Sequence, residues 1–555
     1  MARNTPIRIV PLGGLGEFGM NCMVVEHGDS AVVVDCGVMF PEDHMMGVDR
    51  VIPDFTYLRR LGDRLKGFVI THGHEDHLGA LPYVLPEFNV PVFATRFTSA
   101  LLEKKLDEFP AARDAQIEVI EPRSAFSLGG LSIEPLRVTH SIVDACGLAI
   151  RAGGDLVVHT GDFKLDADPI DGLTSDIDRF RELGDEGVRL LLSDSTNVEV
   201  DGSTGSESKV PSYFRPIFEH TRGRIFVTTF ASHIHRIQTV VELCREYGRF
   251  IAFMGRSMES NTGLATRTGH LHIPGSILIS MKEAEKLPPG DVCFVVTGSQ
   301  GEPGSAMTRI AMLERRNLQP GPGDAVIFSS RAIPGNERAI SAVIDQLYKC
   351  GAEVYDSRRQ PVHVSGHACR EELREMLTLT RPDCFIPLHG QYRNLVHHAR
   401  LAEATGVDRR KCFCLTDGDV LEILDGDPRR AGSVQVGRIL IDGDVVGDID
   451  DSVLRDRRHI AEDGVVMVIL AVSRQTGEVV AGPDFMTRGL VSSEEGGDGE
   501  FRELKRLVVQ RVGEMSPAAV ADLAELQEEL RVVVRRYFRR ALGRRPVVVP
   551  YVLEL

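Results

Sequence analysis

Short apolar segments rich in valine and isoleucine alternate with polar turns over the first part of the chain. Three of them, residues 7–12, 21–26 and 31–35, are bounded by glycine, aspartate and serine, and such runs predict β-strands. Only the turn at residues 27–30 separates the second segment from the third. The pattern therefore predicts a hairpin that opens a layered αββα fold.

Strand-like and helix-like segments follow one another in the middle of the chain. The strand-like segments are residues 224–230, 250–254, 292–297 and 325–329, and helical periodicity is found at 236–247 and 336–349. Strands that alternate with helices predict a parallel sheet. We therefore expect an α/β domain at about 206–347, inserted between the two parts of a first domain at 1–205 and 348–425.

The end of the chain predicts a small α+β domain. Residues 465–472 and 547–553 are strand-like. A long helix is expected over 517–542, because Ser516 can cap it, Pro517 suits its first position and Gly543 can end it. We place this domain at 450–555, after a Pro- and Gly-containing linker at 426–449, and expect a mobile loop at the polar, glycine-rich residues 492–500.

Composition and charge restrict the location and the partners. Of the 555 residues, 43% are hydrophobic and 26% are charged, as in ordinary globular proteins. Apolar runs fall short of the ~20 residues that a membrane helix needs, and residues 1–10 lack the apolar core of a signal peptide. A cytoplasmic protein without membrane contact is expected. The net charge of −16 argues against general attraction to nucleic acid.

Seven arginines are concentrated towards the end of the predicted C-terminal helix. They are Arg531, Arg535, Arg536, Arg539, Arg540, Arg544 and Arg545. A solvated helix face accounts for such a cluster, and a surface that guides nucleic acid or contacts another subunit is the alternative. The sequence leaves both interpretations open.

A glycine pattern near the N-terminus suggests a dinucleotide-binding fold at first sight. Gly14, Gly16 and Gly19 follow the first strand with GxGxxG spacing, and Asp35 stands where a ribose-binding acid could lie. That motif requires a helix directly after the glycines. The hairpin pattern predicts strands there instead, so we set this interpretation aside.

The strongest chemical signal is a cluster of histidines after the apolar strand at residues 67–70. Residues 71–77 read Thr-His-Gly-His-Glu-Asp-His, and a helix-like segment follows at 78–85. Three imidazoles and a carboxylate within six residues, His72, His74, Asp76 and His77, form an HxHxDH motif. Imidazole nitrogen and carboxylate oxygen are ligands that zinc accepts. The motif therefore predicts a metal site.

Three more ligand-type residues stand at the ends of predicted strands. They are His140, Asp162 and His389. Each alone could equally be an ordinary polar residue, but together with the motif they form the seven-ligand set of a binuclear site. Two zinc ions about 3.5 to 4 Å apart would lower the pKa of a shared water and stabilise both the attacking and the leaving oxygen of a displacement at phosphorus.

With these ligands, the chain resembles the metallo-β-lactamase superfamily, and six further segments resemble the ribonuclease J branch of its β-CASP nucleases. These segments are LLSDSTN (191–197), FASHIHRIQ (230–238), TGSQGEP (297–303), SSRAIPGNE (329–337), HVSGHA (363–368) and PLHGQYR (387–393). The likeness extends from residue 12 to about 417 and more loosely to the C-terminus. It implies an αββα sandwich with an inserted β-CASP domain, and a zinc-dependent ribonuclease with 5′-to-3′ exonuclease and endonuclease activity in RNA maturation and decay.

The resemblance also implies roles for individual residues. One zinc would be held by His72, His74 and His140, the other by Asp76, His77 and His389, and Asp162 would bridge them. Asp76 can orient the attacking water, and His367 could stabilise the charged phosphorane or protonate the departing 3′ oxygen. Substrate contacts are expected from His233, Ile234, His235, His363, Val364, Ser365, Gly366 and His367. At residue 233 this family usually carries asparagine, which puts that contact in doubt.

Further expectations concern ions, partners and rival functions. The resemblance suggests a structural calcium ion at Gly47, Asp49 and Asp442, a homodimer or homotetramer, and single-stranded RNA with a 5′ monophosphate as substrate. A metallo-hydrolase of a small ester, thioester or lactam is the first alternative, because the metal motif alone does not distinguish carbon from phosphorus. A non-catalytic RNA-binding scaffold and a DNA substrate are the others.

Overall fold

A computed structural model describes residues 5–490 and 501–555, apart from the single positions 43, 315, 334, 444, 448 and 474. The loop expected at 492–500 lies outside the described residues. The chain forms two units, one of Met1–Met39 and Ile52–Arg438, the other of Phe40–Val51 and Ile439–Leu555. Among the helices of the described residues, none is both long and apolar enough to cross a bilayer.

The first unit contains two large sheets. The eight-stranded sheet has the spatial order Asp427–Ser433, Asp419–Leu424, Ile7–Gly13, Cys22–His27, Ser30–Val34, Leu65–Ile70, Val92–Ala94 and Ile117–Val119. The six-stranded sheet has the order Cys384–Leu388, Leu190–Asp194, Asp155–His159, Cys146–Ala152, Leu131–Arg137 and Phe126–Leu128. Cys22–His27 and Ser30–Val34 pair antiparallel, as the predicted hairpin requires.

A shared apolar core lies between these two sheets. Val25 and Val34 from one sheet and Ile150 and Leu192 from the other belong to the same buried cluster. The alternation of apolar residues along each strand sends every second side chain into this core. The predicted fold class, an α/β sandwich with an inserted α/β domain, is confirmed.

The inserted region forms a separate five-stranded sheet. Its order is Phe250–Met254, Val292–Val296, Ile225–Thr228, Ala325–Phe328 and Glu353–Tyr355, and all four strand pairs are parallel. The alternating pattern predicted this arrangement. The last strand begins beyond residue 347, so the sheet continues past the predicted boundary of the insert.

Helices of the first unit connect and cover these sheets. They are Thr56–Leu61, Glu75–Leu78, Leu81–Val84, Arg96–Asp107, Ile177–Glu186, Val210–His220, Ile234–Glu246, Arg256–Thr268, Met281–Ala284, Ala306–Ala311, Glu337–Lys349, Arg370–Thr380 and Tyr392–Thr405. Phe180 and Met376, from two of them, pack with Leu156 of the six-stranded sheet in one continuous core that reaches Val227 of the inserted sheet. In place of the single helix expected over 78–85, the chain forms two short helices, Glu75–Leu78 and Leu81–Val84.

The second unit has a three-stranded sheet in the order Val479–Arg488, Val465–Val472 and Val547–Glu554. Its helices are Asp451–Asp463, Arg502–Gly513, Pro517–Ala521 and Leu523–Ala541. The single helix predicted over 517–542 is wrong, because the chain leaves the helical conformation at Asp522 (ψ 99°) and its side chain accepts hydrogen bonds from two amides of the next helix. Ser516 does cap the first of the two helices.

Residues 426–449 differ from the linker that their composition suggested. Asp427–Ser433 pairs antiparallel with Asp419–Leu424 and forms an edge of the eight-stranded sheet. Asp425 and Gly426 have φ values of 54° and 81°, as a two-residue hairpin turn requires. Shorter strands follow at Arg438–Asp442 and Val445–Val446.

Candidate metal centre

Loops that follow four strands bring seven ligand-type side chains together. His72, His74, Asp76 and His77 follow Leu65–Ile70, His140 follows Leu131–Arg137, Asp162 follows Asp155–His159, and His389 follows Cys384–Leu388. In α/β folds the ends of such strands are where chemistry is usually placed. All seven residues predicted as metal ligands are found in the two groups described next.

The first group consists of three imidazoles, those of His72, His74 and His140. His74 Nδ1 lies 3.1 Å from His72 Nε2 and 3.2 Å from His140 Nε2. The pKa of His72 and of His140 is well below its ordinary value, mainly because both rings are buried and secondly because other imidazoles lie close by. Neutral imidazoles with converging ring nitrogens are suited to a cation.

The second group combines two carboxylates with two imidazoles. Asp76 Oδ2 lies 3.2 Å from His389 Nε2, and Asp162 Oδ2 lies 3.2 Å from His77 Nε2. The same Asp162 oxygen is 3.8 Å from His72 Nε2 of the first group. One carboxylate is therefore close to both groups, as the proposed bridging role of Asp162 requires.

Hydrogen bonds outside the two groups orient their rings. His77 Nδ1 is 2.8 Å from the carboxylate of Asp35, and His140 Nδ1 is 2.7 Å from the carbonyl oxygen of Gly366. Ligating histidines in metalloproteins commonly use their second nitrogen in this way, which fixes the tautomer and leaves the first nitrogen free for the metal. The donor set and its support therefore fit a metal ion.

In the second group, the carboxylates and the imidazoles stabilise one another's charged forms. Burial raises the pKa of Asp162, but His389 and His77 outweigh it and hold the pKa well below its usual value. For His77 the signs are reversed: burial lowers the pKa, and the charges of Asp162, Asp76 and Asp35 more than offset it. Anionic carboxylates therefore remain in a buried site, where a cation would be strongly favoured.

Asp35 is a functional residue that the sequence reasoning missed. It follows the strand Ser30–Val34 with φ of 62°, an uncommon conformation for a residue other than glycine. Its carboxylate accepts hydrogen bonds from the Thr71 amide (2.8 Å) and hydroxyl (2.9 Å) as well as contacting His77. Asp35 thus anchors both ends of the HxHxDH loop.

His367 stands beside the ligand cluster in contact with a second missed residue, Asp194. His367 Nδ1 is 2.8 Å from Asp194 Oδ2. Burial lowers the pKa of His367, but Asp194 and then Asp162 raise it, and the net shift is upward. Asp162, Asp194, His367 and His389 form a third group of possible ligands. An imidazole with a raised pKa is equipped to donate a proton.

The side chain of Asn197 holds the segment 363–367 in place beside the ligand cluster. Asn197 donates to Ser365 Oγ and to the carbonyl oxygen of His367, both at 3.0 Å. Gly366 packs so closely on Ser141 that a Cβ would lie 2.6 Å from the serine hydroxyl oxygen, so only glycine fits here. Arg331 donates to Asn197 at 3.3 Å and places a cation beside the segment, another residue that the sequence reasoning missed.

The remaining candidates for substrate contact occupy different environments. Ile234 is fully buried in the apolar core, and Val364 is partly buried and packs against the same core. His235 pairs with Asp171 at 3.1 Å. His233 and His363 are neighbours, and each has a buried Nδ1 without a hydrogen-bond partner among the described residues. Burial and Arg236 lower the pKa of His363 to about 3.

The candidate calcium residues lie in the second unit. Asp49 accepts a hydrogen bond from the Gly443 amide at 2.8 Å, and Asp442 forms a 2.5 Å ion pair with Arg457. Arg457 also donates to the carbonyl oxygen of Met46, next to Gly47. The guanidinium of Arg457 thus already neutralises Asp442, one of the two carboxylates. Calcium binding at these residues stays a prediction.

Two facing sheets with imidazoles and carboxylates gathered at the strand ends define a metal-dependent hydrolase of the metallo-β-lactamase class. The sequence agrees, since it matches the metallo-beta-lactamase superfamily over residues 15–203 and the Zn-dependent metallo-hydrolase RNA specificity domain over 353–412. It also matches the ribonuclease J beta-CASP domain over 222–347 and the ribonuclease J C-terminal domain over 452–555.

Whole-length relatives identify the family. The chain is 38% identical to ribonuclease J of Helicobacter pylori J99, over 97% of this chain and 77% of that protein. Identity is 39% to ribonuclease J of Synechocystis (99% and 87% covered) and 39% to that of Thermus thermophilus (99% and 95% covered). The chain belongs to the ribonuclease J family, and it is a metal-dependent ribonuclease that binds RNA.

A solved structure supports the fold alone. An Enterococcus faecalis V583 protein of unknown function aligns with a TM-score of 0.52 and 16% identity, over 70% of this chain and 96% of that one. Hydrolysis of a small ester, thioester or lactam, the alternative raised by the motif, is not favoured, because the β-CASP and RNA-specificity domains accompany the metal centre.

Proposed function

We propose that this ribonuclease holds two zinc ions and removes nucleotides from the 5′ end of RNA, with internal cleavage where the strand can reach the metal centre. The proximity of Asp162 to both groups of ligands carries the proposal of two ions. His72, His74 and His140 would hold one zinc, Asp76, His77 and His389 the other, with Asp162 between them. When bound, the ions supply Lewis-acid stabilisation and an activated water.

The protein's own side chains orient the substrate and move the proton. The Asp76 carboxylate accepts a hydrogen bond from the attacking water and so aligns it. His367 protonates the departing 3′ oxygen, and Asp194 keeps it protonated until that step. The carboxylate of Asp35 holds His77 in one tautomer throughout.

An anion pocket tied to the metal ligands would set the 5′ polarity. The Ser365 hydroxyl and the cation of Arg331 lie beside Asn197, and the adjacent Gly366 carbonyl is bonded to His140. A 5′ phosphate held there would stand at a fixed distance from the metal centre, so one nucleotide would be released at each turnover. His363, at the start of the segment, and the neighbouring His233 are neutral and support the pocket.

Three matched RNAs that differ only at the 5′ end test this polarity. Monophosphorylated RNA should be degraded fastest, because a triphosphate crowds the pocket and a hydroxyl leaves its donors unpaired.

Ser365→Ala should reduce the ratio of the monophosphate rate to the hydroxyl rate and leave internal cleavage unchanged. Release of 5′ label and the fragment ladder report both. Equal rates for all three RNAs, or mononucleotides first from the 3′ end, contradict the proposal, and a matched DNA strand tests the choice of RNA.

Self-association through the second unit is also proposed. Val549, Tyr551 and Leu553 project from an edge strand and are 42%, 57% and 45% exposed. Apolar side chains on an open edge strand favour pairing with another copy. A dimer or tetramer is therefore expected, in the cytoplasm as the sequence suggests.

The substitution Val549→Glu/Tyr551→Glu should lower the mass per particle in light scattering, because two charges would be buried in the contact. Leu173→Glu, at a 48% exposed position of the first unit, is the matched control and should not change the mass. The same number of chains per particle in both variants would exclude this contact.

A further inference from the structure

Positive charge is concentrated at the end of the helix Leu523–Ala541. Between residues 531 and 545 the sequence contains seven arginines and no acidic residue, although the whole chain has 80 acidic and 64 basic residues. The cluster therefore does not follow from the composition of the chain.

Helical spacing separates an apolar side from a charged side. The apolar side consists of Leu526, Leu530, Val534 and Phe538, which recur every fourth residue and are buried in the core of the second unit. The charged side consists of Arg535, Arg536, Arg539 and Arg540, all of them exposed. We call these four residues the arginine face.

Among the described residues, carboxylates form no close ion pair with the arginine face. Its neighbours Arg531 and Arg544 lie 3.1 Å from Glu528 and 3.9 Å from Asp463. Within the described part of the chain, the four arginines of the face form no ion pair of 4.0 Å or less. Glu529, the acid nearest in sequence, is already hydrogen-bonded to Arg511 at 2.9 Å. As far as the structure describes the chain, the guanidinium groups of the face are therefore not occupied by ion pairs with carboxylates.

The helix dipole explains only part of this charge. Cations stabilise the last turn of a helix, and this effect fades beyond that turn. Arg539 and Arg540 lie in the last turn, whereas Arg535 and Arg536 lie one turn earlier. Arginines four residues apart on one face repel each other and destabilise the helix. Helix stability alone thus does not account for the arrangement.

We propose that the arginine face binds the phosphate backbone of single-stranded RNA, at a site separate from the metal centre. The proposal rests on the ribonuclease function and adds a second contact for the same substrate. All four residues are arginine, whose planar guanidinium can form paired hydrogen bonds with a phosphate. Backbone contacts carry no sequence information, so binding at this face should not depend on sequence.

Removal of the four charges tests the proposal. The variant R535Q/R536Q/R539Q/R540Q keeps long side chains with good helix propensity. The control R455Q/R458Q/R502Q/R506Q removes four exposed arginines that are scattered over two other helices of the same unit. Both variants should melt close to the temperature of the unsubstituted protein, because the lost repulsion and the lost interaction with the helix dipole are small and opposite in sign. Fluorescence anisotropy in EDTA then measures the Kd for a long unstructured RNA without cleavage.

The arginine-face variant should bind this RNA about tenfold or more weakly, and its plot of log Kd against log salt should be shallower by about 0.7 for each phosphate that the protein no longer neutralises. The control should change neither quantity by a comparable amount. Cleavage of a tetranucleotide, followed separately with metal present, should be equal in all three proteins. That measurement tests the proposed function independently of the Kd.

Two outcomes would overturn the proposal. One is an affinity and a salt dependence that match those of the control variant. The other is unchanged RNA affinity together with a change in mass per particle by light scattering, which would make the face a contact between copies of this chain.

Discussion

Asp162→Ala should abolish RNA cleavage and reduce the zinc content of the protein at the same time. Asp162 Oδ2 lies 3.2 Å from His77 Nε2 and 3.8 Å from His72 Nε2, so the substitution removes a carboxylate oxygen that lies close to both groups. A metal ion contributes several kcal/mol of transition-state stabilisation, and each 1.36 kcal/mol is a factor of ten in rate. The turnover rate should therefore fall by more than about a thousandfold.

Asp168→Ala is the matched control for this experiment. Asp168 lies in the same loop but is exposed and accepts a hydrogen bond from Ser208, away from the ligand cluster. Metal analysis by mass spectrometry and single-turnover cleavage should show an unchanged control. Active, unchelated protein with fewer than about one zinc per chain would contradict the mechanism with two ions.

His367→Ala should lower the cleavage rate by about 10²- to 10⁴-fold while zinc content stays constant, because general acid catalysis contributes that much. The test compares ordinary RNA with RNA that carries sulfur in place of the departing 3′ oxygen. Sulfur leaves without protonation, so the variant should lose far less activity on the sulfur substrate. An equal loss on both substrates would exclude His367 as the acid.

The pH dependence provides a second readout of His367. The acid must be protonated, so the rate should decline as the pH rises through the pKa of His367. Burial lowers this pKa and Asp194 raises it, with a net upward shift. In Asp194→Asn the larger upward contribution is lost and only that of Asp162 remains, so the alkaline decline should begin at a lower pH. A decline at an unchanged pH would separate Asp194 from the titration of His367.

The cluster of candidate ligands could be predicted from the sequence because each member has a local signal. Four stand in one HxHxDH motif, and His140, Asp162 and His389 follow apolar strands beside small residues. Asp35 and Asp194 carry no such signal. Their partners, His77 and His367, lie 42 and 173 residues away in the chain, and folding alone brings them together. A single sequence does not show which distant strand ends become neighbours.

Two errors in the fold prediction have local causes. Asp522 interrupts the helix expected over 517–542, and aspartate is a common N-cap, so the break had a signal that the caps at Ser516 and Gly543 obscured. Asp425 and Gly426 form the preferred sequence of a tight hairpin turn. The nearby proline and glycine suggested a linker instead. The residues that follow the turn pair with the sheet as a strand, so they do not form a linker.

The candidate metal ligands are far apart in the order in which the chain is synthesised. Asp76 and His389, whose side chains meet in the folded protein, are separated by 313 residues. At elongation rates of about 5 to 20 residues per second, translation of this stretch takes about 15 to 60 s. During that time the nascent chain, held by the ribosome close to its own messenger RNA, lacks His389, the last of the proposed metal ligands. With the proposed ligands, cleavage competence would arise only after the inserted domain has been made.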